Sequence, residues 1–123
     1  MSKYVFDTYA LFEILSGNVE YNQFTKEEET EVIINNFIFA EFCYGLYRAK
    51  EPNAKEYIGK YSKYISSVKP EWIDEAMQFR LKWKDRGVSI TDCVSYIMAK
   101  SLGIKFLTGD KEFEGSDNVE FVK

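Results

Sequence analysis

Four acidic residues carry most of the chemical information in this 123-residue sequence: Asp7, Glu41, Asp92 and Asp110. Glu41 is the most telling. It lies in Phe37-Ile38-Phe39-Ala40-Glu41-Phe42-Cys43-Tyr44, a segment apolar almost all round. An ion pair along a helix needs Lys or Arg three or four residues away, and those positions hold Phe37, Ile38, Tyr44 and Gly45. A carboxylate buried without a partner is costly and tends to neutralise by a raised pKa. Something must compensate it: a bound cation, a distant Arg or Lys, or a hydroxyl network. Taken singly, Asp7 and Asp92 read as acids that cap or open a helix. Asp110, in Thr108-Gly109-Asp110-Lys111, reads singly as a turn residue.

Taken together they say more. Two of the acids lie just past strand ends, one opens a helix and one is stranded in an apolar helix. Four carboxylates brought close repel strongly, and a divalent cation is what holds such a cluster together. An all-oxygen donor set suits Mg²⁺ or Mn²⁺. Mg²⁺ retains waters, and water is the nucleophile such a site would turn on a phosphodiester. Thr8 and Thr108 are placed to donate hydrogen bonds to the carboxylates; their alternative roles are helix capping for Thr8 and a turn hydroxyl for Thr108.

Composition narrows the chemistry further. The chain has no His, so Ser-His-Asp and Cys-His machinery and His-based metal sites are excluded. Its two Cys cannot close a tetrahedral zinc site and allow at most one disulfide. Cys43 and Cys93 each flank a candidate acid, but a thiol nucleophile without His has no visible activator. Sixteen basic and twenty acidic residues give a net charge of −4, which argues against a generic basic coat for nucleic acid but allows a local basic groove. No apolar run approaches the roughly 20 residues that span a bilayer, and the N-terminus enters a strand-like run without a signal-peptide pattern. The expectation is a soluble intracellular, cytoplasmic protein with reduced thiols.

The elements that must position these acids follow from the pattern. Lys3 to Phe6 is a short β-favouring run that stops at Asp7-Thr8, and Tyr9 to Ser16 is helical up to Gly17. Asn18 to Glu29 is polar and helical in part. Thr30 to Asn35 is a second strand. Helices are expected over Asn36 to Lys50, ended by Pro52, and over Asn53 to Ile65. Ser66 to Lys69 is a short strand candidate. Pro70 opens a helix to Arg86, capped by Gly87. Thr91 N-caps a helix that runs to Leu102 and stops at Gly103. Ile104 to Leu107 and Val119 to Val122 are the last strands. This alternation predicts one α/β domain over residues 1–123, with a mostly parallel sheet. In such sheets the site lies beyond the carboxyl ends of the strands, where Asp7 and Asp110 both fall.

Four segments now line up in order: Val5-Phe6-Asp7-Thr8, Ala40-Glu41-Phe42-Cys43-Tyr44-Gly45, Ile90-Thr91-Asp92-Cys93, and Phe106-Leu107-Thr108-Gly109-Asp110-Lys111-Glu112-Phe113. Together they resemble the PIN-domain ribonucleases, in particular the VapC-type toxins of toxin–antitoxin pairs. The resemblance implies a three-layer α/β/α sandwich with a sheet of four to five short strands. It also implies an acidic Mg²⁺ or Mn²⁺ site that cuts RNA endonucleolytically. The family's acids fall on Asp7, Glu41, Asp92 and Asp110, with Glu112 auxiliary. A homodimer and a small antitoxin partner are implied too. Lys50 to Ser89 carries no family motif, so substrate choice does not transfer.

Two other function classes fit the sequence less well. A receiver-type phospho-acceptor wants paired acids after its first strand, whereas Asp7 is alone. A catalytically silent scaffold of the same family is disfavoured by the presence of all four acids. Arg48, Lys50, Lys55, Lys60 and Lys63 alternate with Tyr47, Tyr57, Tyr61 and Tyr64. That stretch reads either as a stacking surface for unpaired bases or, as favoured here, as a core stripe with a solvated Lys face.

Overall fold

The opening β-favouring run becomes strand β1, Ser2–Phe6, in a computed structural model that describes residues 1–123. Helix α1 (Thr8–Leu15) follows, then a 3₁₀ turn over Val19–Phe24 and strand β2 (Thr30–Ile33). Helices α2 (Asn36–Arg48), α3 (Ala54–Tyr61), α4 (Pro70–Lys82) and α5 (Ile90–Leu102) come next. Strands β3 (Lys105–Thr108) and β4 (Val119–Phe121) close the chain, with a 3₁₀ turn at Lys111–Phe113 between them. The four strands form one sheet in the order β2-β1-β3-β4, and every pair is parallel.

Val5 and Phe6 are adjacent, point to opposite faces, and are both fully buried. The sheet is therefore covered on both sides, as parallel sheets are. On one face Tyr96 of α5 meets Phe106, with Phe79, Trp83 and Phe113 stacked around it. On the other face Phe24 packs edge-on against Tyr4. The result is the expected three-layer α/β/α arrangement, with four strands.

The sequence expectations differ from the structure at several boundaries, each for a physical reason. Ser89, not Thr91, caps α5. Ser89 Oγ accepts from the Asp92 amide at 3.0 Å, and the Asp92 carboxylate accepts from the Ser89 amide at 3.1 Å. This is the reciprocal capping box of the spacing Ser-x-x-Asp; Thr91 is buried within the first turn. Helix α4 stops at Lys82 rather than Arg86, and Gly87 does not cap it. Trp83 packs on Phe79 and Phe113, and Arg86 turns back to stack on Trp83 at 3.8 Å, so packing overrides propensity there.

Ser66–Lys69 forms no strand. Ile65 makes a single parallel bridge to Ile34, and the partner strand ends there because Asn35 turns to cap α2. The helix expected over Asn53 to Ile65 divides into α3 and a 3₁₀ turn over Ser62–Tyr64. Helix α2 ends at Arg48, two residues short of Lys50. Within the tyrosine stretch Tyr61 is buried and Tyr57 and Tyr64 are half-buried, as a core stripe requires, while Tyr47 is exposed.

Candidate acidic active site

Strands β2 and β3 lie on opposite sides of β1, so the chain reverses its winding between β1 and β3. Open α/β sheets carry their crevice at this point, beyond the strand carboxyl ends. The register Phe6↔Leu107 sets Asp7 beside Thr108, and the Asp7 amide continues the ladder to the Leu107 carbonyl at 3.1 Å.

Asp7 is only 3% exposed. It N-caps α1 by accepting the Ala10 amide at 2.7 Å, and its other oxygen accepts the hydroxyl of the fully buried Thr108. Thr108 Oγ1 in turn accepts the Asp110 amide at 3.0 Å, and Asp110 accepts the Glu112 amide at 3.0 Å. Burial pushes the Asp7 carboxyl up to about 7, with Asp92 and Asp110 adding repulsion against the lowering effect of Thr108 and Ala10. Burial likewise raises Asp92, opposed by its Ser89 hydrogen bonds and reinforced by Asp110 and Glu41. Asp7, Asp92, Asp110 and Glu41 therefore share one electrostatic neighbourhood.

Glu41 departs from expectation. It is exposed, because α2 buries only the stripe Ile38, Phe42 and Leu46. Its compensation is a hydroxyl: Thr8 Oγ1 donates to Glu41 Oε1 at 2.9 Å, joining α1 to α2. Glu112 enters through its backbone, its amide to Asp110 and its carbonyl to Arg86 Nη1 at 3.2 Å.

No basic side chain answers these acids. The one ion pair in the protein is Lys105–Glu120 at 3.7 Å. No three of the acids stand close enough to make a ready-formed metal cage. The donor set, nonetheless, is carboxylate and hydroxyl oxygen throughout, as a hard divalent cation requires. A buried, hydrogen-bonded carboxylate with acidic neighbours and no cation partner fits such an ion. The thiols take no part: both are free, and burial raises that of Cys93 to about 11.

Two positioning residues escaped the sequence reading. Asn35 is fully buried. It caps α2 through the Ile38 amide at 2.9 Å and donates to Ser95 Oγ at 3.1 Å, one turn beyond Asp92. It thus ties the helix of Glu41 to the helix of Asp92. An Asn before a helical run is a cap signal, but nothing local pointed to Ser95. Ser89 was legible as the first residue of a capping box.

Residues 4–117 match the family model described as the PIN domain. The fold is similar to that of a toxin–antitoxin complex from Klebsiella pneumoniae, with a TM-score of 0.77, 18% identity and 95% of each chain covered. It is also similar to VapC20 of Mycobacterium tuberculosis, a sarcin–ricin-loop-cleaving toxin, with a TM-score of 0.76 and 17% identity over 99% of this chain and 100% of that one. A third similar structure is VapBC2 of Rickettsia felis bound to a promoter DNA fragment, with a TM-score of 0.74, 16% identity, and 98% and 99% covered. No curated protein matches significantly in sequence.

Proposed function

The chain belongs to the PIN-domain family, and from that premise we propose that it is a divalent-metal-dependent endoribonuclease, acting in the cytoplasm as the toxin of a toxin–antitoxin pair. The observation that carries the reading is Asp7: a buried carboxylate, hydrogen-bonded by Thr108, surrounded by acids and met by no basic group. Asp7, Asp92 and Asp110 would hold Mg²⁺ or Mn²⁺, with Glu41 ligating or orienting water and Glu112 auxiliary. Such an ion supplies activation of water and charge neutralisation at phosphorus.

The protein's own groups do the rest. The Thr108 hydroxyl fixes one Asp7 oxygen, and the Ala10 amide the other. Thr8 holds Glu41 toward the crevice. The capping box engages one Asp92 oxygen and fixes the orientation of the other. A proton competes with a cation for Asp7 near neutrality, so cleavage should rise from pH 6 to pH 8. The likeness in fold to a toxin–antitoxin complex and to an RNA-cleaving toxin supports the toxin role. A small antitoxin partner and a homodimer belong to the same reading.

The test is incubation of wild-type protein and Asp7→Asn with total cellular RNA, in Mn²⁺ or EDTA, with new 5′ ends mapped. Discrete cuts that need both metal and Asp7 are expected. Equal cutting in EDTA or by Asp7→Asn overturns the proposal, and a folded, partner-free protein that cuts nothing favours a silent scaffold.

A further inference from the structure

Three aromatic rings stand well exposed, those of Tyr9, Tyr44 and Tyr47. Tyr9 is the one seated on the acidic loop. It follows Thr8 and lies two residues from Asp7, and its ring covers Gly109, between Thr108 and Asp110. A Cβ at residue 109 would collide with Tyr9 Cε1 and stand 2.5 Å from the Val122 carbonyl oxygen. Only glycine admits the ring there. The ring and the Val122 carbonyl thus both crowd the loop at Gly109.

The ring packs on Gly109, yet 41% of the residue remains exposed. A side chain that merely braced the loop could be aliphatic and covered. A half-open aromatic ring packed beside the acidic site has the form of a base-stacking surface, because every nucleobase offers a π-face.

We propose that Tyr9 is the platform on which an unpaired RNA base next to the scissile phosphate stacks. This rests on the ribonuclease reading above. Tyr9 is a positioning residue: it registers the strand so that the phosphate meets the acids, and takes no part in bond breaking.

The experiment uses a short RNA spanning a mapped cut, compared with the same RNA made abasic at the nucleotide on either side. Wild type, Tyr9→Phe, Tyr9→Trp and Tyr9→Leu are measured, with melting temperature as the check on folding. Tyr9→Leu should raise KM about tenfold with kcat little changed, while Phe and Trp retain wild-type KM. One abasic position should weaken wild type about tenfold and Tyr9→Leu hardly at all, because the stack is already gone. Additive penalties, or equal loss in Phe and Leu, overturn the platform while leaving the nuclease standing. A wild type that cuts no RNA overturns both.

Discussion

Replacing Asp7 by Asn in metal-free protein isolates the energetic cost of the site. Below pH 3.8 the carboxyl is protonated in folded and unfolded chains alike. Between 3.8 and about 7 the folded chain keeps a proton that the unfolded chain has released, so stability falls as pH rises. Above that range both are ionised and the cost is constant. A displacement of about three pH units corresponds to about 4 kcal/mol at full ionisation, a large share of the roughly 5–15 kcal/mol that holds a typical domain together. The asparagine carries none of this cost. Its Oδ1 can still accept the Ala10 amide and its Nδ2 can donate to Thr108. Urea unfolding followed by fluorescence of Trp72 and Trp83, in EDTA at pH 5 and pH 8, measures the difference. The variant should gain about 3 kcal/mol over wild type between those two pH values. The chain has no histidine, so the window is nearly free of other titrations. Asp92, raised in the same sense, is common to both proteins. A wild-type-minus-variant difference that stays flat from pH 5 to pH 8 would refute the claim that Asp7 is held as a buried, uncompensated acid. Adding Mn²⁺ should then stabilise wild type and not the variant, by mass action.

Three further outcomes follow from the same geometry. Thr108→Val leaves the Asp7 carboxylate short of a donor and should cost about 1–3 kcal/mol, more at pH 8 than at pH 5, read by the same denaturation. Ser89→Ala removes the hydroxyl that caps α5 and should cost about 1 kcal/mol, read by the same denaturation, while the Ser89 backbone amide still holds the Asp92 carboxylate. Gly109→Ala forces the Tyr9 ring aside and should cost about 1–3 kcal/mol; adding Tyr9→Ala should restore only part of the melting temperature, since the Val122 carbonyl still opposes the methyl group at 2.5 Å.

The parallel sheet and its order of elements were legible because each strand is a short β-favouring run ended by a helix start or turn. Asp7 and Asp110 were legible for the same reason, since a residue just past a parallel strand end has one place to go. Glu41 was misjudged through its neighbours. Phe37, Phe39 and Tyr44 suggest burial all round, yet α2 buries one stripe and leaves Ala40, Glu41 and Tyr44 to solvent. The end of α4 was illegible because Trp83 and Arg86 are held by Phe113 and the Glu112 carbonyl, groups a quarter of the chain away. The Asn35–Ser95 link spans 60 residues and leaves no local trace.

The central place of β1 has a consequence for the order of assembly. Asp7 is made 101 residues before the hydroxyl that fixes it. One edge of β1 waits for β3, and the pairing is long-range, so its loop entropy is spent before any contact rewards it. At roughly 5–20 residues per second, synthesis separates the two by several seconds or more. A nascent chain that has already formed β1, α1 and β2 still lacks Thr108 and Asp110. Whatever activity the acids confer therefore waits for translation of β3 and the loop after it, and a ribosome-bound fragment ending before β3 should be inert.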